Sequence, residues 1–160
     1  MKTRLRTVNI ASITTFFEKG VTLIEFLTVI FILIVLAGIG VPIWRNIQPT
    51  LELNGSTREL STDLRYAQQL SITEQIIYGV RFNFDEDEYQ IIQYQDENEN
   101  VIKLKALPAG INLEQEESFS EAKFTPYGSV VARGQVRLVN SQNQIKTIDI
   151  RPSGFVKIID

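Results

Sequence analysis

Lys19-Gly20-Val21-Thr22-Leu23-Ile24-Glu25-Phe26 opens an apolar run that continues to Val41, and Glu25 is the only ionisable side chain from Val21 to Val41. At about 1.5 Å of rise per residue, a helix over this run crosses a hydrocarbon layer about 30 Å thick. The stretch therefore predicts a transmembrane helix over 21–41. A carboxylate near the middle of a bilayer costs roughly 3 kcal/mol on insertion scales, so Glu25 needs a positive partner. The apolar run holds none. Cutting the chain after Gly20 would create one, because the new α-ammonium of Val21 would lie one helical turn from Glu25. The carboxylate also sits at the positive end of the helix dipole. Between chains, the ammonium of one helix can pair with Glu25 of another and set an axial register.

A basic leader, Lys19-Gly20, an apolar residue, Thr22-Leu23-Ile24-Glu25 and a long hydrophobic run together resemble the class III signal of type IV pilins and type II secretion pseudopilins. The resemblance implies that a prepilin peptidase cuts between Gly20 and Val21 on the cytoplasmic side and N-methylates Val21. It implies that Glu25 pairs subunits during assembly, and that Pro42 is the helix-bending proline just past the span. The family prefers Phe where this chain has Val21, and it tolerates other apolar residues there. A plain signal anchor explains the hydrophobicity but not the glycine, the spacing or the proline. A secretory signal peptide fits less well, since its apolar region is about 7–15 residues and its cut follows small residues at the far end.

The 160 residues leave room for one membrane helix and one domain with its own core. There is no cysteine and no histidine, so disulfides, the usual zinc sites, Ser-His-Asp triads and Cys-His pairs are unavailable. No nucleophile, base and orienting group stand at useful spacing, so neither an enzyme nor a cofactor is expected. Residues 1–20 carry Lys2, Arg4, Arg6 and Lys19 against Glu18. The positive-inside tendency keeps this end in the cytoplasm of the inner membrane and places everything after Pro42 on the far side. The leader, 1–20, is expected to be removed and takes no part in the fold.

Beyond the span, Pro42 removes a backbone donor and predicts a bend, with Gly38 and Gly40 weakening the ladder before it. Trp44 and Arg45 read as interfacial anchors. Leu60, Leu64, Ala67 and Ser71 then recur at spacings of three and four, with Arg58, Asp63 and Gln68 elsewhere on the wheel. One helix over about 22–73 follows, apolar all round at first and amphipathic over 42–74, with Gly55 a candidate interruption. Over 75–160 the pattern changes to strands at 76–84, 89–94, 101–107, 111–113, 122–125, 129–132, 136–140, 145–150 and 155–159. The turns between them are acidic, or rich in Gly, Pro and Asn. The expected class is α+β, pilin-like: a long N-terminal helix packed on an antiparallel β domain. Three downstream stretches, Asp63-Leu64-Arg65-Tyr66-Ala67-Gln68, Phe124-Thr125-Pro126-Tyr127-Gly128 and Ile148-Asp149-Ile150-Arg151-Pro152-Ser153-Gly154-Phe155-Val156, resemble the GspH/FimT subclass of minor pseudopilins and pilins.

Without the leader the chain carries 12 basic and 18 acidic side chains, unevenly placed: 84–121 is strongly acidic and 122–160 is basic. Asp85, Asp87 and Asp96 in the acidic turns offer oxygen ligands of the kind Ca²⁺ takes, but without EF-hand spacing, and solvated hairpin turns are the preferred reading. Arg133, Arg137, Lys146, Arg151 and Lys157 raise DNA capture as an alternative, against which the acidic balance of the domain weighs. The favoured function is a GspH-like subunit of a type II secretion pseudopilus; the alternative is a FimT-like minor type IV pilin in DNA uptake or pilus assembly. Expected partners are the prepilin peptidase, sister pilin or pseudopilin subunits, an inner-membrane assembly platform, and lipid before assembly.

Overall fold

The computed structural model describes residues 20–95, 98–115 and 119–159. The leader before Gly20 and the candidate ligand Asp96 lie outside the described residues. Two compact units are distinguished, with the boundary between Gly40 and Val41. A single helix, α1, runs Leu23–Glu74 with Pro42 and Pro49 inside it. Gly55 does not interrupt it: the glycine is exposed, and nothing lies near the place a Cβ would occupy.

In the first unit, Gly20 and Val21 precede the helix, and every residue from Gly20 to Gly40 is exposed. The apolar stretch of α1 is long enough and apolar enough to cross a membrane, and none of it is buried within the chain.

The second unit contains the rest of α1 and eight strands among the described residues: β1 (Ile77–Asn83), β2 (Glu88–Gln95), β3 (Asn98–Ala106), β4 (Ile111–Gln115), β5 (Glu121–Phe124), β6 (Gly134–Asn140), β7 (Ile145–Ile150) and β8 (Val156–Ile159). They form two antiparallel sheets, one in the order β3-β2-β1-β5 and the other β4-β6-β7-β8. Alternation sets which residues face the core. Tyr78, Val80 and Phe82 of β1, and Val136 and Leu138 of β6, point inward and are buried. They join Leu53, Leu60, Leu64 and Ala67 of α1 in one cluster that also takes in Ile148, Ile150 and Val156. The helical stripe predicted from Leu60, Leu64, Ala67 and Ser71 is thus the buried face, each of the four at 0 % exposure.

The structure corrects three readings. Residues 129–132 do not form a strand, and only an isolated bridge joins Val130 to Phe124. The backbone there bonds in two directions, since Val130 N–H donates to Pro152 in the turn between β7 and β8 and Val131 N–H donates to Lys123 of β5. The strand expected over 101–107 begins three residues earlier, since β3 starts at Asn98. Asp63 is not on the solvent side of α1 but buried: Tyr89 OH donates to its Oδ2 at 2.6 Å, and Lys103 Nζ sits 2.6 Å from the same oxygen.

Candidate assembly site

The helix starts where the sequence supplies a cap. Thr22 precedes the first helical residue, and its Oγ1 accepts the Glu25 backbone N–H at 3.3 Å while its carbonyl accepts Phe26 N–H at 3.1 Å. A hydroxyl at the N-cap with Glu three residues on is the residue pattern of a capping box. Thr22 was legible in the sequence for this reason but was not read so. The cap leaves Gly20 and Val21 outside the helix, exposed, with Val21 at 71 %. Glu25 lies in the first turn of α1, where the apolar side chains over 21–41 have no cover from the described residues. Pro42 lies within continuous helix.

In the β domain the three diffuse sequence motifs meet. Thr125-Pro126-Tyr127-Gly128 and Arg151-Pro152-Ser153-Gly154 are both turns closed by a bond from the glycine N–H to the first residue's carbonyl, each at 2.8 Å. Proline at the second position and a left-handed glycine at the fourth suit this geometry, with φ of 81° at Gly128 and 78° at Gly154. Gln68 of α1 donates from Nε2 to the Gly128 carbonyl at 2.7 Å, and Ser71 Oγ donates to the Thr125 carbonyl at 3.1 Å. A Cβ on Gly154 would lie 2.0 Å from the Gly128 carbonyl oxygen and 2.1 Å from Gln68 Nε2. The glycines are therefore required for packing as well as for turn geometry. They let two loops stack on one turn of the helix.

Further polar contacts fix the helix lower down. Lys105 Nζ meets Glu59 at 2.9 Å, which holds the lysine's pKa above its usual value. Gln142 Nε2 donates to the Asn46 carbonyl, and Thr50 Oγ1 donates to Gln144. Burial, reinforced by the bond to Asp63, pushes the Tyr89 phenol well above its ordinary range. Burial and the bond to Glu74 push Tyr78 up to about 12.

The opposite face of the first sheet carries a cluster that sequence reasoning missed. Arg81 grips Glu99 through two nitrogens at 2.8 Å and also bonds Tyr94 OH, which donates to Glu121; Lys123 lies 4.2 Å from the Tyr94 ring centre. Gly79 makes room, since its Cβ would meet the Tyr94 ring at 3.0 Å. The bond to Arg81 draws the Glu99 carboxyl below its usual value, whereas burial and Glu121 raise the Tyr94 phenol.

The acidic candidates do not converge. Asp87 accepts Leu113 N–H on Oδ1 at 2.7 Å, tying the β1–β2 turn to β4, while Asp85 is exposed. Among the described residues no three acidic side chains are placed to hold a metal. The basic candidates are likewise dispersed. Arg137 stands opposite Glu114, Lys157 stands opposite Asp149, and Arg151 Nε donates to Asp149 at 3.0 Å. Lys146 stands opposite inward-facing Leu138, lining a cleft of about 320 Å³ with Asn54, Thr57, Arg58 and Ile158. Arg133 is exposed just before β6. Of the five cations, Arg137 and Lys157 thus stand opposite carboxylates, Arg151 is bonded to one, Lys146 stands opposite Leu138, and Arg133 lies outside the strands.

No protein-family model matches this chain, and no curated protein sequence matches it. Its fold is similar to solved structures of secretion and pilus components. The minor pseudopilin EpsH from the type 2 secretion system of Vibrio cholerae is 15 % identical with a TM-score of 0.58, the match covering 68 % of this chain and 96 % of EpsH. The type IV minor pilin FimU of Pseudomonas aeruginosa is 13 % identical with a TM-score of 0.60, covering 69 % of this chain and 90 % of FimU. The fold is therefore pilin-like α+β, a long N-terminal helix packed on antiparallel sheets, as the resemblance in the sequence implied.

Proposed function

We propose that this chain is a GspH-like minor subunit of a type II secretion pseudopilus. In this reading the prepilin peptidase cuts between Gly20 and Val21 and methylates Val21. Glu25 then pairs with the exposed amine of a sister subunit, the helix bends at Pro42, and the β domain lies outside the inner membrane. The observation that carries the reading is the capped, uncovered apolar helix with one carboxylate in its first turn. Lateral partners in lipid cover such a helix, and an unpaired acid there penalises the wrong register. The exposed, non-helical Gly20–Val21 bond supports cleavage at that point. The likeness to EpsH supports the secretion assignment, and the likeness to FimU equally supports a minor type IV pilin as the second reading. DNA capture draws less support, because the basic side chains of the second sheet stand among carboxylates.

The test is mass spectrometry of the full chain recovered from membranes with and without prepilin peptidase. The expected mature protein begins at N-methylated Val21, and Gly20→Glu leaves the band unshifted. Glu25→Ala is expected to insert and be cut yet fail to enter the filament fraction. A mature chain beginning elsewhere would remove the proposal.

A further inference from the structure

Each sheet ends in two edge strands, and among the described residues three of these four edges are engaged within the chain. Phe124 of β5 is bridged to Val130, and the Lys123 carbonyl accepts Val131 N–H. On β4, Leu113 N–H donates to Asp87, and on β8 the Val156 carbonyl accepts from Arg65. The fourth edge, β3, is different. It is the longest described strand at nine residues and pairs with β2 on one side, while no other described backbone group bonds it. Such an edge presents unpaired N–H and C=O groups, the template on which a further strand is laid.

Lysines on an edge usually blunt it, but here they are turned away. Lys103 and Lys105 are held on the helix side, by Asp63 at 2.6 Å and by Glu59 at 2.9 Å. On the other face Val101 and Leu104 stand opposite Ile92 and Gln90 of β2 and are exposed, Leu104 at 57 %. The edge is therefore apolar on one face and basic on the other. A second copy of β3 is a poor match for it. Antiparallel pairing of two β3 strands about Leu104 would set Lys103 opposite Lys105, like charge against like, and the bulge that leaves Ile102 without an opposite residue twists the strand. A strand with apolar side chains toward Val101 and Leu104 and carboxylates toward the lysines matches both faces. Lys105 can receive one, since an ammonium has three donors and 37 % of this side chain is exposed.

We propose that β3 binds an extended segment of a different protein as an added strand, its side chains alternately apolar and acidic. Backbone bonds along the edge supply adhesion, and the alternation fixes which face of the segment meets the lysines. The contact goes beyond the filament reading and does not depend on it.

The probe is a fluorescent seven-residue peptide alternating valine and glutamate, titrated with the purified full chain in detergent and followed by anisotropy. Two further peptides carry N-methyl groups, one on the valine amides and the other on the glutamate amides, so that each has one edge blocked. Only one edge can face β3. One methylated peptide is therefore expected to bind like the parent and the other at least about tenfold more weakly. Leu104→Asp and Lys105→Glu should each keep the near-ultraviolet circular dichroism of the domain and weaken the parent peptide about tenfold, and a peptide alternating valine and lysine should recover the loss in Lys105→Glu. The methylated pair tests the unaltered chain, so it decides the matter even where a variant fails to fold. Methylated peptides that behave alike, whether both bind or neither does, would exclude pairing along an edge. A parent peptide that does not bind at millimolar concentration, or binds Leu104→Asp undiminished, would overturn the proposal. So would equal affinity for the glutamate and lysine peptides in the unaltered chain. Neither peptidase nor filament enters the assay, so its failure leaves the filament reading standing.

Discussion

Leu33 and Leu60 belong to the same helix, yet Leu33 is 59 % exposed and Leu60 is 0 % exposed. Around Leu33 every position is apolar, so no face is distinguished and nothing among the described residues covers it. Around Leu60 apolar residues occupy one stripe, with Arg58, Glu59 and Arg65 on the exposed remainder. The stripe points to a partner inside the chain; its absence points to one outside, whether lipid or another helix. The same element thus has cover within the chain along one stretch and none from the described residues along the other, and the change in sequence periodicity accompanies that difference.

The contrast can be broken most sharply at the glycine turns that hold the buried half. Gly154→Ala would force a Cβ against the Gly128 carbonyl oxygen and strain a left-handed residue, for a loss of roughly 4 kcal/mol. Urea unfolding of the detergent-solubilised chain, followed by near-ultraviolet circular dichroism, measures it. Next comes the direct comparison. Leu60→Ala should cost about 3 kcal/mol of domain stability, whereas Leu33→Ala should change it by less than about 0.5 kcal/mol. Equal effects would end the distinction between the halves.

A smaller effect is expected at alkaline pH, and only in the domain. Tyr78 is raised to about 12 in the folded chain, and Tyr89 and Tyr94 are raised too. A folded pKa above the unfolded value gives stability that is complete below about pH 10 and is lost as pH rises through the folded pKa. The urea midpoint should therefore fall from about pH 10 upward, in step with tyrosinate absorbance near 295 nm. The apolar half carries no tyrosine and should keep its helical signal. Least of all, Lys105→Ala removes an exposed pair with Glu59, so the urea midpoint should move only slightly, and less still as salt is added.

Much of this was legible before any coordinates. The stripe from Leu60 to Ser71, the acidic β1–β2 turn and the strand at 145–150 followed from period and turn chemistry, and the structure has them. What escaped depended on distant residues. Asp63 reads as a solvent-facing acid until Tyr89 and Lys103, 26 and 40 residues later, are known to close over it. Residues 129–132 carry the composition of a strand, but their backbone bonds go to β5 and to the turn between β7 and β8. The glycine turns were visible as turns, whereas their stacking on Gln68 joins segments 60 residues apart. At the helix start, Thr22 was readable as a cap because capping is local.

The placement of Gly154 and Val156 also governs the order in which the domain can be completed. Val156 belongs to the core that buries Leu60 and Leu64, and the Gly154 turn stacks against the helix through Gln68. Synthesis delivers the helix well before β8. Until Gly154 and Val156 arrive, part of the helical stripe stands open, so a nascent chain stalled short of them is expected to expose apolar surface and to be held by a holdase.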